Sequence, residues 1–118
     1  MKRLATILFA LLLLGCNITP ALSHILVGDW LLEHYEAYLD GTPTSAVGSR
    51  DSHLIFTSNG RCSWNGKSTF DYSLDGNTIT LYNERKTIEY KVTHYTETFL
   101  VMYFYIDRYK MVYYMEKF

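Results

Sequence analysis

Two thiols, four imidazoles and a set of large rings are the residues of this chain with chemistry to offer. Cys16 and Cys62 are its only cysteines, and their contexts differ. Cys16 ends the run Leu13-Leu14-Gly15-Cys16, where small Gly15 leaves the adjoining peptide bond accessible and the thiolate can act as a nucleophile. Cys62 shares its parity with Trp64 in an alternating segment, the setting of a buried thiol that behaves as a small hydrophobe. An exposed redox or interchain thiol is the alternative, and it requires residues 60–66 to lie at a rim.

The histidines His24, His34, His53 and His94 are scattered singly, with no H-x-x-x-H or C-x-x-C spacing, so no metal site is expected. Ser49, Ser52 and Ser58 sit among turn residues and no G-x-S-x-G elbow occurs. The acids Asp29, Asp51, Asp71, Asp75 and Asp107 fall in turns or on the polar parity of strands, whereas hydrolytic carboxylates must face each other across a pocket. Neither catalysis nor a cofactor is expected. What remains is a set of rings on one parity, Trp30, Phe56, Trp64, Phe70, Tyr72 and Tyr90, which either fill a core or line a site for an apolar ligand.

The elements that must position these rings are strands. In residues 54–81 the apolar positions alternate: Leu54 and Phe56, Cys62 and Trp64, Phe70, Tyr72 and Leu74, Ile79 and Leu81. Asn59-Gly60, Asn65-Gly66 and Asp75-Gly76 interrupt them, and such pairs accept the positive φ of tight hairpins. A strand with Trp30 inward precedes this meander, its parity shared by Leu32 and His34. Three strands follow it. Residues 86–93 alternate cleanly, 98–106 are apolar on both faces, and 109–118 put Met111, Tyr113 and Met115 on one face. Residues 40–51, rich in Gly, Ser, Thr and Pro, read as a polar loop at a barrel mouth. The expectation is all-β: one small eight-stranded antiparallel up-and-down barrel over residues 28–118. Eight strands enclose a space that side chains fill, or that holds one small ligand.

Ahead of the strands lie Lys2 and Arg3, then an apolar run over residues 4–14, too short to span a bilayer as a helix and shaped like a secretory leader. The Leu13-Leu14-Gly15-Cys16 box resembles the lipobox of bacterial lipoproteins. That resemblance implies a signal peptide over residues 1–15, a diacylglyceryl Cys16 at the mature N-terminus and a tether over residues 16–27. The alternative is an ordinary leader cut after Ser23. Non-acidic Asn17 resembles the outer-membrane sorting signal, which implies lipid anchorage at the periplasmic face of the outer membrane, a secreted or surface form being the alternative. Residues 16–118 keep nine basic and twelve acidic side chains, a surface without the basic footprint of a nucleic-acid binder.

Gly28-x-Trp30 at the first strand is similar to the opening of lipocalins. Together with residues 54–60, residues 72–81 and Tyr90-Lys91-Val92, the chain resembles the small lipocalin-like domains of Bacteroidetes lipoproteins. In that family a basic residue packs against the Trp, and Arg108, Lys110 and Lys117 are the candidates. The resemblance implies a lipid-anchored, non-catalytic binding module with a small apolar ligand at one barrel end. An envelope protein that binds another protein, with a filled interior like the small lipoprotein barrels that inhibit lysozyme, is the alternative.

Overall fold

A computed structural model describes residues 21–48 and 52–118. The Leu13–Cys16 box and the tether up to residue 20 therefore lie outside the described residues, as does the stretch 49–51. A one-turn helix, α1 (Leu22–Ile25), leads into nine strands: β1 (Gly28–Leu39), β2 (Thr42–Gly48), β3 (His53–Phe56), β4 (Arg61–Trp64), β5 (Ser68–Asp75), β6 (Thr78–Tyr82), β7 (Thr87–Tyr95), β8 (Phe99–Ile106) and β9 (Tyr109–Lys117). All pairings are antiparallel. β1 and β3 to β9 form the closed eight-stranded barrel, β9 returning to pair with β1 along Trp30 to Leu39. The ninth strand, β2, is a hairpin partner of β1 outside that ring.

The turns form where the sequence offers residues that tolerate positive φ. Asp40 (φ 51°) and Gly41 (φ 86°) reverse β1 into β2, and Asn65 (φ 56°) and Gly66 (φ 70°) reverse β4 into β5. The first of these turns corrects the sequence reading of residues 40–51 as a mouth loop. Thr42–Gly48 is a strand, with Tyr38 opposite Pro43 and Glu36 opposite Val47. Pro43 is tolerated because β2 is an edge strand and need not donate on both sides.

Two further differences come from where the chain bends. Between Leu32 and His34 the register of β1 against β9 slips by one residue. A bulge of this kind flips all later side chains to the other face. Trp30 and Leu32 point into the core, but His34 lies outside, stacked on Tyr114 with ring centroids 4.3 Å apart. Ala37 takes the buried position beyond the bulge. The folded unit also begins before Gly28: Leu22, Ile25 and Leu26, expected in a tether, are buried in the same core.

These residues close one end of the barrel around Trp30, which is fully buried. Its Nε1 donates to the Leu26 carbonyl at 2.8 Å, and Lys117 Nζ lies 5.0 Å from the ring centroid while donating to the Ile25 carbonyl at 2.6 Å. Of the three basic candidates, Lys117 is the one that packs on the Trp. Gly28 is required here by its φ of 143°, which is essentially closed to other residues; a Cβ would also stand 2.9 Å from Lys117 Cε and push that side chain aside. The Gly-x-Trp spacing is thus the geometry of a plug.

Candidate functional site

The opposite end of the barrel is built from the β1–β2, β4–β5, β6–β7 and β8–β9 turns, and it is open. A cleft of about 260 Å³ enters the barrel there. Trp64, Ser68 and Phe70 line it from the β4–β5 hairpin and Leu81 from β6. Lys86 comes from the β6–β7 turn, Ile88 and Tyr90 from the start of β7, Phe104 and Ile106 from the end of β8, and Tyr113 from β9. Period-two alternation places these side chains on the inner face of each strand.

Tyr113 is the hub of the rings. Its centroid lies 5.1 Å from Phe104, 6.1 Å from Trp64, 6.2 Å from Tyr35 and 6.4 Å from Tyr90, and Tyr90 meets Phe104 edge-on at 4.8 Å. The Tyr113–Phe104 and Tyr90–Phe104 pairs are edge-on and the others tilted, geometries that aromatic pairs favour over a face-to-face sandwich. Among the described residues no protein group hydrogen-bonds the hydroxyl of Tyr90 or Tyr113. Burial raises both phenols above the ordinary tyrosine range, with the neighbouring tyrosine adding to the effect, so both remain protonated.

The cleft also opens sideways. β7 and β8 pair only from Lys91 with Tyr103 to Tyr95 with Leu100, with a register shift between Val92 and His94. Towards the open end, the start of β7 stays on β6 and the end of β8 stays on β9, but the two do not pair with each other. The wall splits there, and a surface hollow of about 400 Å³ lies over the split. Lys86, Ile88, Phe104 and Ile106 line both spaces.

The six rings picked out from sequence divide between the two ends. Trp64, Phe70 and Tyr90 line the cleft. Trp30 and Phe56, 0% and 1% exposed, belong to the core towards the closed end. Tyr72 packs edge-on against Phe56 at 5.0 Å and donates from its hydroxyl to the Thr57 carbonyl. Tyr113, Phe104, Ile88 and Lys86 also line the cleft and are not among those six. Tyr113 carried a readable signal, its inward parity with Met111 and Met115; Phe104 did not, because both faces of its strand are apolar. The described side chains of the β1–β2 turn and early β2 do not line the cleft, contrary to the mouth-loop expectation. Asp40 is instead ion-paired to Arg108, which ties that turn to the β8–β9 turn.

Cys62 lies in the core at 1% exposure, and burial pushes its thiol up to about 12. That environment suits a packed hydrophobe and removes the thiolate needed for redox chemistry at neutral pH. His53 Nδ1 lies 2.7 Å from Asp29 Oδ1, with Phe118 edge-on to the imidazole at 5.0 Å. His94 Nδ1 reaches only the neighbouring Thr93 hydroxyl, at 3.2 Å. Among the described residues no group of three His, Cys, Asp or Glu side chains is placed to hold a metal ion.

Residues 26–102 match the family model described as a lipocalin-like domain. No curated protein and no solved structure gives a significant match.

Proposed function

The chain belongs to the lipocalin-like domain family, and from that membership and the form of its open end we propose that it is a non-catalytic binding module for one small, largely apolar ligand. The observation that carries this reading is the cleft itself. It is concave, lined by the rings of Trp64, Phe70, Tyr90, Phe104 and Tyr113 together with Leu81, and Ser68 and Lys86 add polar groups. At about 260 Å³ it is a little under the usual range of drug-sized sites, roughly 300–1,000 Å³, and suits a single small molecule.

The Cys16 box supports lipid anchorage of bacterial-lipoprotein type, and non-acidic Asn17 supports the periplasmic face of the outer membrane. The chain enters the barrel at the closed end through α1, and residues 17–21 extended reach roughly 17 Å. An anchor on Cys16 therefore holds the closed end near the bilayer and turns the open cleft away from it. Intact-mass analysis of the purified protein checks this, with a mature chain starting at an acylated Cys16 as the expected result. A soluble chain starting at His24 contradicts it.

Ligand binding is tested by thermal shift of the full chain against small aromatic and aliphatic molecules, alongside an Ile88→Trp variant that fills the cleft. A ligand at 100 times its Kd stabilises by about 2.7 kcal/mol. The expected result is a ligand-dependent rise in Tm for the parent and none for the variant, whose own Tm stays within a few degrees. One feature favours a second reading, an envelope protein partner: Tyr105, Ile106 and Tyr109 are 65%, 51% and 40% exposed around the β8–β9 turn. No binder in the screen would favour that reading.

A further inference from the structure

We propose that the ligand of the open-end cleft is a small aromatic acid, one or two rings bearing a single negative charge, with its acid group held at the rim by Lys86. This rests on the reading that the cleft is a binding site, and it names the chemistry of the occupant.

Size sets the first limit. An apolar cavity of about 150 Å³ accommodates one benzene ring. At about 260 Å³ the cleft takes a ring with a short substituent or two fused rings, and a longer chain would have to run out over the outer hollow. The lining sets the second. Trp64, Phe70, Tyr90, Phe104 and Tyr113 surround the space with rings that meet at tilted or edge-on angles, the arrangement into which a flat molecule inserts.

Charge sets the third. Lys86 is the one charged side chain lining the cleft; the acid Glu89 lines the outer hollow and not the cleft, and its carboxylate lies 3.8 Å from Lys91 Nζ. Among the described residues Lys86 makes no ion pair; the basic side chains that do are Arg61, Lys91, Arg108 and His53. Asn83 Oδ1 accepts the backbone N–H of Arg85 and of Lys86, which fixes the turn that carries the ammonium to the rim. Glu84 and Arg85 share that turn but do not line the cleft. Tyr90 and Tyr113 also line the cleft; their hydroxyls have no protein partner among the described residues, and both stay protonated. A phenol lining a cleft can donate to an anionic oxygen of a bound molecule. A cleft with one cation, phenolic donors and no acid selects an anion over a cation of equal size.

Isothermal titration of the full chain with 2-naphthoate and with its neutral isostere 2-naphthamide tests the assignment. The acid is expected to bind at least tenfold tighter than the amide. In Lys86→Gln the two should come within about twofold, through weaker binding of the acid and unchanged binding of the amide. Because Lys86 is exposed, that variant is expected to fold as the parent does. Equal binding of acid and amide, unaffected by Lys86→Gln, overturns the anionic assignment and leaves the cleft as a site for neutral rings. If neither compound binds, the binding reading falls and this one with it.

Discussion

Lys117 illustrates how one side chain can decide the meaning of a motif. A basic residue against Trp30 is legible in the sequence, yet sequence alone leaves Arg108, Lys110 and Lys117 equivalent. Height along the barrel separates them. Arg108 sits in a turn at the open end and Lys110 stands over Tyr103 on the outer wall, 4.4 Å from its ring centroid. Lys117 alone ends its strand beside Trp30, capping the Ile25 carbonyl. Emptying the Trp30 site in Trp30→Ala is expected to cost about 3–5 kcal/mol, a large part of the stability of so small a domain. A Tm within a few degrees of the parent would show that the plug is dispensable. The thiol and phenols of the interior give a pH test. Each is neutral when protonated and buried, so its folded-state pKa is raised, and its contribution is complete below the unfolded value. That contribution is lost as pH climbs from the ordinary thiol value of 9.0 towards about 12 for Cys62, with Tyr90 and Tyr113 following from 10.0 upward. Tm should therefore be insensitive to these groups between pH 6 and 8 and fall steeply above 9. In Cys62→Ala the fall should begin nearer 10, and an unchanged onset would remove Cys62 from the account.

Among the elements, alternation told inside from outside but not one end from the other. Trp30, Phe56, Trp64, Phe70, Tyr72 and Tyr90 share the inward parity, yet Trp64, Phe70 and Tyr90 line the cleft and the others lie towards the plug. Parity is a property of two neighbouring residues; height depends on strand length and register, which pairing determines. The bulges were hidden for the same reason. Nothing local in Leu32-Glu33-His34 marks the slip that sends His34 to the outer wall. β2 is not legible in the sequence because Pro43 and small polar residues read as loop, and its edge position makes them acceptable as strand. The split between β7 and β8 arises only in the assembled wall. It predicts uneven protection in hydrogen exchange, with the amides of residues 87–90 and 104–106 exchanging faster on average than those of 91–95 and 100–103. Uniform protection along both strands would mean that the wall is closed there.

At the scale of the whole molecule, the all-β class, the antiparallel meander and barrel closure were readable in the sequence, because short alternating runs and Asn-Gly turns leave few other ways to bury one face. The polarity of the barrel was not. One end is filled by α1, Trp30 and Lys117, and the other is left to the rings around Tyr113. That asymmetry gives the central claim a two-probe test, since the chain has two tryptophans and they report on opposite ends. Trp64 lines the cleft, while Trp30 Nε1 is hydrogen-bonded to the Leu26 carbonyl in the plug. The measurement is a proton–nitrogen NMR titration of the full chain with 2-naphthoate and 2-naphthamide, following the two indole N–H signals. The structure predicts that the Trp64 signal moves and saturates while the Trp30 signal stays in place. Movement at Trp30 with Trp64 unchanged, or no movement at either with both compounds, would contradict a binding cleft at the open end.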